Sequence, residues 1–235
     1  MDWTRAVNLY CERTDAGFWS EPVNALSNAA FLVAALVCWR MFGDRRDPGA
    51  RLLVLLLAAI GVGSFLFHTV AEAWAGLADV LPILVFVLLY LGLATVRFFG
   101  LPVWAGAVAA ASFLPFAALV SGLATRLFGG LNGSEGYLPV LVALALYALA
   151  LRRRAPATAG RLAMGAGLFA ISLGFRTLDA DLCPVFPLGT HFLWHLLNAV
   201  LLGWMIATLV RHEARSGARS EADSGPGLAR GGGAR

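Results

Sequence analysis

Seven apolar stretches separated by short hydrophilic loops constrain this chain more than any other feature. They cover roughly residues 25–41, 51–70, 77–98, 103–122, 137–151, 160–178 and 189–210. About 20 apolar residues in a helix cross the ~30 Å of bilayer hydrocarbon. No water is available there to satisfy backbone N–H and C=O groups, so each crossing must close its own hydrogen bonds as a helix. An all-α, seven-transmembrane bundle is therefore expected, as one unit over residues 1–212. The tail over 213–235 is rich in Gly, Ser, Ala and Arg without apolar periodicity and is expected to be disordered. Hydrophobic residues make up 59% of the 235 and charged residues 14%, which excludes an ordinary soluble domain. No cleavable leader is expected, because the first 20 residues lack an apolar central region.

The charges set the topology. The formal net charge is +4, and all 18 basic residues are arginine. They cluster in the 40–51 loop, the 152–161 loop and the tail, whereas the alternate loops are neutral or acidic. The positive-inside rule then places the N-terminus outside and the C-terminus in the cytoplasm. Arginines placed this way orient helices and are no nucleic-acid footprint. An all-arginine basic set points to a GC-rich genome and hence to a bacterial inner membrane.

Against this apolar background a few polar residues fall at one depth. Ser64 and His68 lie four apart on the second span and share a face. Asp79 follows across a short turn, near the start of the third span. His191 and His195, again four apart, open the seventh. Three histidines thus reach the outer side, while His212 falls at the cytoplasmic end as an ordinary interfacial residue. Two imidazoles at i and i+4 plus one from another helix suit zinc, with a fourth position left for water. The alternative is a set of histidines that hydrogen-bond between helices. Ionisable groups at membrane depth are costly and mark function.

The chemistry follows from those residue types. Zinc brings the pKa of a bound water to about 7. Asp79 can take that water's proton and return it to a leaving amine; alternatively, it orients a zinc histidine. Ser64 can donate to an oxyanion, or bond back to its own helix.

The N-terminal run YCERTDAGFWSEPVNALSN carries Glu12, Asp15, Glu21, Asn24 and Asn28 ahead of and inside the first span. Such oxygens could hold a hard cation such as calcium, or form a solvated cap in which Glu21 and Pro22 open the helix. Cys38 lies in an apolar helix and belongs to the core. Cys11 and Cys183 both fall on the predicted outer side, where they are either bridged or two separate thiols.

At these residues the chain resembles the alkaline ceramidase family. The likeness covers most of residues 8–200 and is carried by YCERTDAGFWSEPVNALSN, by GSFLFH followed by LADVLP, and by GTHFLWHLLNA. It implies a seven-helix zinc hydrolase that cleaves the N-acyl bond of ceramide to a sphingoid base and a fatty acid. The family's zinc histidines match His68, His191 and His195, its catalytic aspartate Asp79 and its serine Ser64. Its calcium site matches Glu12, Glu21 and the carbonyl of Tyr10. Leu9 and Asn8 occupy the stretch where an aspartate is expected, and Thr14, with Asp15 beside it, stands where an asparagine is expected. Those departures imply weakened or rearranged calcium ligation. The resemblance also implies a Cys11–Cys183 bridge. The implied partners are ceramide or a related N-acyl lipid and the bilayer, with no nucleic acid. Two neighbouring readings are a zinc-containing lipid receptor of the adiponectin-receptor type and a hydrolase of another N-acyl lipid. The YCERT segment and the very short cytoplasmic loops argue against the receptor.

Overall fold

A computed structural model describes residues 2–42 and 47–223 of the chain. Its helices are α1 (Pro22–Ser27), α2 (Ala29–Phe42), α3 (Pro48–Val70), α4 (Ala73–Phe99), α5 (Val103–Phe128), α6 (Leu138–Leu151), α7 (Pro156–Leu182) and α8 (His191–Asp223), with a 3₁₀ turn over Ser134–Tyr137 before α6. The first two helices act together, giving seven segments long and apolar enough to cross a membrane. The expected all-helical, seven-span bundle is present.

Several helices overrun the apolar windows, for local reasons. Proline occupies the first turns of α1, α3, α6 and α7, where its missing N–H would have had no helical partner. Asp47 caps α3 by accepting from the Ala50 N–H at 3.0 Å. The 176–189 stretch, which holds the end of the sixth apolar window and the connection after it, is helical as far as Leu182. Its charged residues Arg176, Asp179 and Asp181 ended the apolar window without ending the helix. α8 likewise continues through residues 213–223 of the expected disordered tail. The rest of that tail, 224–235, lies outside the described residues, as do residues 43–46 of the basic loop.

α3 and α8 are the most deeply buried spans. Leu53, Leu57, Ile60, Leu162, Ile206 and Leu209 are sealed between α3, α7 and α8. Large apolar side chains such as Val33, Leu55, Leu119 and Ile171 face outward, as a lipid-facing surface requires.

Two close approaches matter for the site. A Cβ at Gly63 would collide with the Ala78 carbonyl oxygen, so only glycine lets α3 and α4 touch backbone to backbone there. The following residue on each helix is Ser64 and Asp79, and the approach brings them together. The turn between α3 and α4 is just Ala71 and Glu72, with Ala71 in the left-handed region at φ 51°. The extended N-terminal segment lies across that turn. Val7 N–H donates to the Ala71 carbonyl at 2.8 Å, and the Ala73 and Trp74 N–H groups donate to the Arg5 and Trp3 carbonyls at 3.0 and 3.1 Å. This strap carries Tyr10 to Arg13 over the end of the bundle that holds the histidines.

Candidate metal centre and active site

His68 leaves the last turn of α3; His191 and His195 leave the first turns of α8. All three are at most 2% exposed. One ring nitrogen from each lies within 4.8 Å of those of the others. The rings stand 4.6–5.1 Å apart, centroid to centroid.

Two of the three rings are held by polar partners from the N-terminal part of the chain. His68 Nδ1 lies 2.6 Å from Glu21 Oε2. A carboxylate accepts only, so Nδ1 carries a proton, and in the neutral ring Nε2 is the nitrogen with the lone pair. His195 Nδ1 lies 2.7 Å from Ser27 Oγ. The Ser27 hydroxyl already donates to the Asn24 carbonyl at 2.8 Å; it must therefore accept from His195, which assigns the same tautomer. Such partners fix the ring orientation and basicity of metal-binding histidines. His191 has the Tyr10 ring stacked on it at 3.7 Å, with the Tyr10 hydroxyl kept neutral by burial.

Two ring nitrogens, His68 Nε2 and His191 Nδ1, are buried without a hydrogen-bond partner. An unsatisfied buried polar atom costs about 1–3 kcal/mol, and two of them beside a third imidazole make poor structural hydrogen bonders. They fit a soft-to-borderline cation that takes neutral imidazole.

α8 reaches this place through Asp179, which is 2% exposed. One of its oxygens accepts from the N–H groups of Thr190 and His191 at 2.7 and 2.9 Å, and the other from the Cys11 N–H at 2.9 Å. The carboxylate caps the histidine helix and ties the strap to it. Gly189, at φ 67°, makes room: a Cβ there would strike Asp179. Cys11 and Cys183 form a disulfide with a Cα–Cα distance of 5.5 Å, closing the same junction. Asp179, Ser27 and Arg13 were not among the residues singled out from sequence. Capping oxygens and buried cations look like ordinary loop polarity until partners 11 to 168 residues away are known.

Ser64 is buried and hydrogen-bonds to the half-buried Asp79 carboxylate. The aspartate stands outside the histidine trio.

A family model described as Ceramidase matches residues 10–223. The chain belongs to the ceramidase family. In general terms it is a ceramide-hydrolysing, multi-pass membrane enzyme. No curated protein matches it. The matched region of this ceramidase-family chain contains the trio, the Ser64–Asp79 pair and the strap from Tyr10 onward.

The residues aligned with a calcium site are placed differently. Glu12 accepts from the Val23 and Asn24 N–H groups at 2.7 and 2.8 Å and so caps α1. Glu21 takes His68, the Arg13 guanidinium at 2.5 Å and the Asn24 amide at 3.1 Å. Burial pushes the Glu21 carboxyl up, but the bonds from His68, Arg13 and Asn24 outweigh it and leave it below its ordinary value. Thr14 and Asp15 are exposed. Asp15 accepts from the Gly17 N–H at 2.7 Å. The Tyr10 carbonyl accepts from the Arg13 N–H at 3.2 Å.

Proposed function

We propose that the chain is a zinc-dependent amidase that cleaves the N-acyl bond of ceramide at the histidine end of the bundle. The observation that carries the reading is the convergence of three buried imidazoles, two of them with orphaned nitrogens, beside a serine–aspartate pair. His68, His191 and His195 would hold the zinc. When bound, the ion would supply a Lewis acid able to lower the pKa of water and polarise a carbonyl. The remaining work belongs to the chain. Glu21 and Ser27 hold the Nδ1 atoms of two imidazoles, which orients those rings toward the centre. Asp79 accepts a proton from water as general base and returns it to the departing sphingoid amine as general acid. Ser64, one turn from His68, donates to the oxygen that gains charge as the amide carbonyl is attacked. In the reacting complex its hydroxyl turns from Asp79 to that oxygen.

The apolar interior suits the two hydrocarbon chains. A cavity of about 50 Å³ lies deeper in the bundle between α4, α5, α6 and α8, lined by Phe86, Tyr90, Leu91, Phe113, Leu201 and Met205. It offers a starting point for an acyl tail that parts these helices further. With the N-terminus outside, as the arginine distribution indicates, the amide is cleaved at the outer leaflet, and in a bacterium this is the inner membrane.

The test uses protein purified in detergent. Bound metal is identified by mass spectrometry, and fatty-acid release from ceramide is measured before chelation, after chelation and after zinc is restored. Release that follows zinc content is expected. Zinc bound without release from ceramide would move the substrate to another N-acyl lipid or the role to a receptor. Release unaffected by complete metal removal would overturn the zinc assignment.

A further inference from the structure

Arg13 is 6% exposed, an unusual place for a guanidinium. Its Nε donates to Glu21 Oε1 at 2.5 Å. One terminal nitrogen donates to the carbonyls of Asp15 and Gly17 at 3.3 and 3.4 Å. The other donates to the carbonyl of His68 at 3.0 Å. A carboxylate and three backbone carbonyls from three parts of the chain thus surround one cation.

Those are the oxygen types that calcium takes, six to eight at a time. Here they are occupied by five N–H donors in a fixed fork that does not deprotonate in proteins. The other acidic residue, Glu12, has both oxygens bound to the first N–H groups of α1. Leu9, 62% exposed, brings no oxygen from its side chain. A divalent ion placed beside Arg13 would meet a buried like charge and no free carboxylate from Glu12 or Glu21. Asn24 Oδ1 and Asn28 Oδ1 are buried without a partner, but two neutral amide oxygens beside a guanidinium, with both carboxylates engaged, do not fit calcium.

We propose that Arg13 is the resident cation of the N-terminal strap, and that this chain binds no calcium there. The guanidinium clamps His68 twice. It holds the backbone carbonyl directly, and through Glu21 it holds the imidazole. Arg13 is thus a positioning residue for His68, permanently charged and independent of external ion supply.

The test has two arms. In the first, wild-type protein in detergent is stripped with a calcium-selective chelator, and radioactive calcium binding and Tm are measured over a calcium titration, with magnesium as control. No saturable binding and no calcium-specific rise in Tm are expected; either one overturns the proposal. This arm reads neither zinc nor ceramide turnover, so its failure is separable from failure of the amidase reading. The second arm rests on that reading, because it needs a metal at the histidines. Arg13→Met should lower Tm and release the metal at roughly tenfold lower chelator concentration, the size of effect seen when a group supporting a metal ligand is lost. Arg13→Lys, which keeps the charge but loses the fork, should fall between the two. Wild-type Tm and metal retention in Arg13→Met would overturn the clamp. If Arg13→Met does not accumulate, Arg13→Lys and the wild-type titration decide.

Discussion

The two ends of the bundle bury similar polar residues for opposite reasons. At the end holding His68, His191 and His195, partners come from distant parts of the chain, yet ring nitrogens are left without one. The far end lies roughly 30 Å away along α8, at 1.5 Å per residue. There His212 Nδ1 sits 2.9 Å from the Thr158 hydroxyl, Arg161 donates to Thr208 at 3.0 Å and stacks on Trp204 at 3.8 Å, and Arg97 bridges Asp47 and Glu213. The far end pairs polar side chains from different helices and so serves to fasten them. The histidine end supports its rings from behind and leaves their front faces open, which is what a ligand-holding site needs. Burial alone does not separate a structural histidine from a ligating one; what faces the second nitrogen does.

The largest effect expected from breaking this contrast is at Asp79. Asp79→Asn keeps the shape and the Ser64 contact but removes the proposed general base. Turnover should fall by about 10²–10⁴-fold with metal content unchanged. Near-normal turnover would remove Asp79 from the chemistry and leave it as a partner of Ser64.

Next come the supports behind the rings. Glu21→Gln weakens the hold on His68 and should lower metal affinity by about 10–100-fold, read by chelator competition. Ser27→Ala removes a neutral partner of His195 and should fall at the lower end of that range. At the far end, His212→Gln should leave metal content and turnover at wild-type levels. Equal metal loss from Glu21→Gln and His212→Gln would erase the distinction between the two ends.

Much of this contrast was readable from sequence. The spacing of Ser64, His68 and Asp79, and of His191 and His195, placed all five at one depth, because helical periodicity converts sequence spacing into a shared face. His212 fell 17 residues past His195 and was rightly set apart. Seven apolar windows gave the number of spans. The Ser64–Asp79 contact was not readable, because it depends on Gly63 meeting Ala78 across the α3–α4 crossing. Asp179 was hidden for a similar reason. In the sequence it lies among acidic residues between the sixth and seventh apolar windows, although the α7 helix carries it to the N-terminus of α8. Arg13 escaped notice because basic residues near membranes ordinarily orient helices at the surface, and nothing local shows that this one is enclosed.

The smallest predicted effect tests whether the far end is a fastening in its own right. Arg97 grips Asp47 through two parallel bonds of 2.8 Å, and Asp47 also caps α3. The Arg97 contact, helped by backbone N–H groups, holds the Asp47 carboxyl below its ordinary value against the opposing effect of burial. The folded-state pKa therefore lies under the unfolded value of about 3.9. The stabilisation is fully present above that unfolded value and disappears as pH falls through the folded one. Asp47→Asn keeps a capping oxygen and loses the ion pair, at a cost of about 1 kcal/mol near neutral pH. Tm of the wild type should accordingly fall more steeply than that of Asp47→Asn as pH drops from 5 to 3. A pH effect that arises elsewhere in the molecule is shared by both proteins and cancels in their difference. Curves that keep a constant separation down to pH 3 would mean that the pair contributes nothing, and that α3 is held at this end by packing alone.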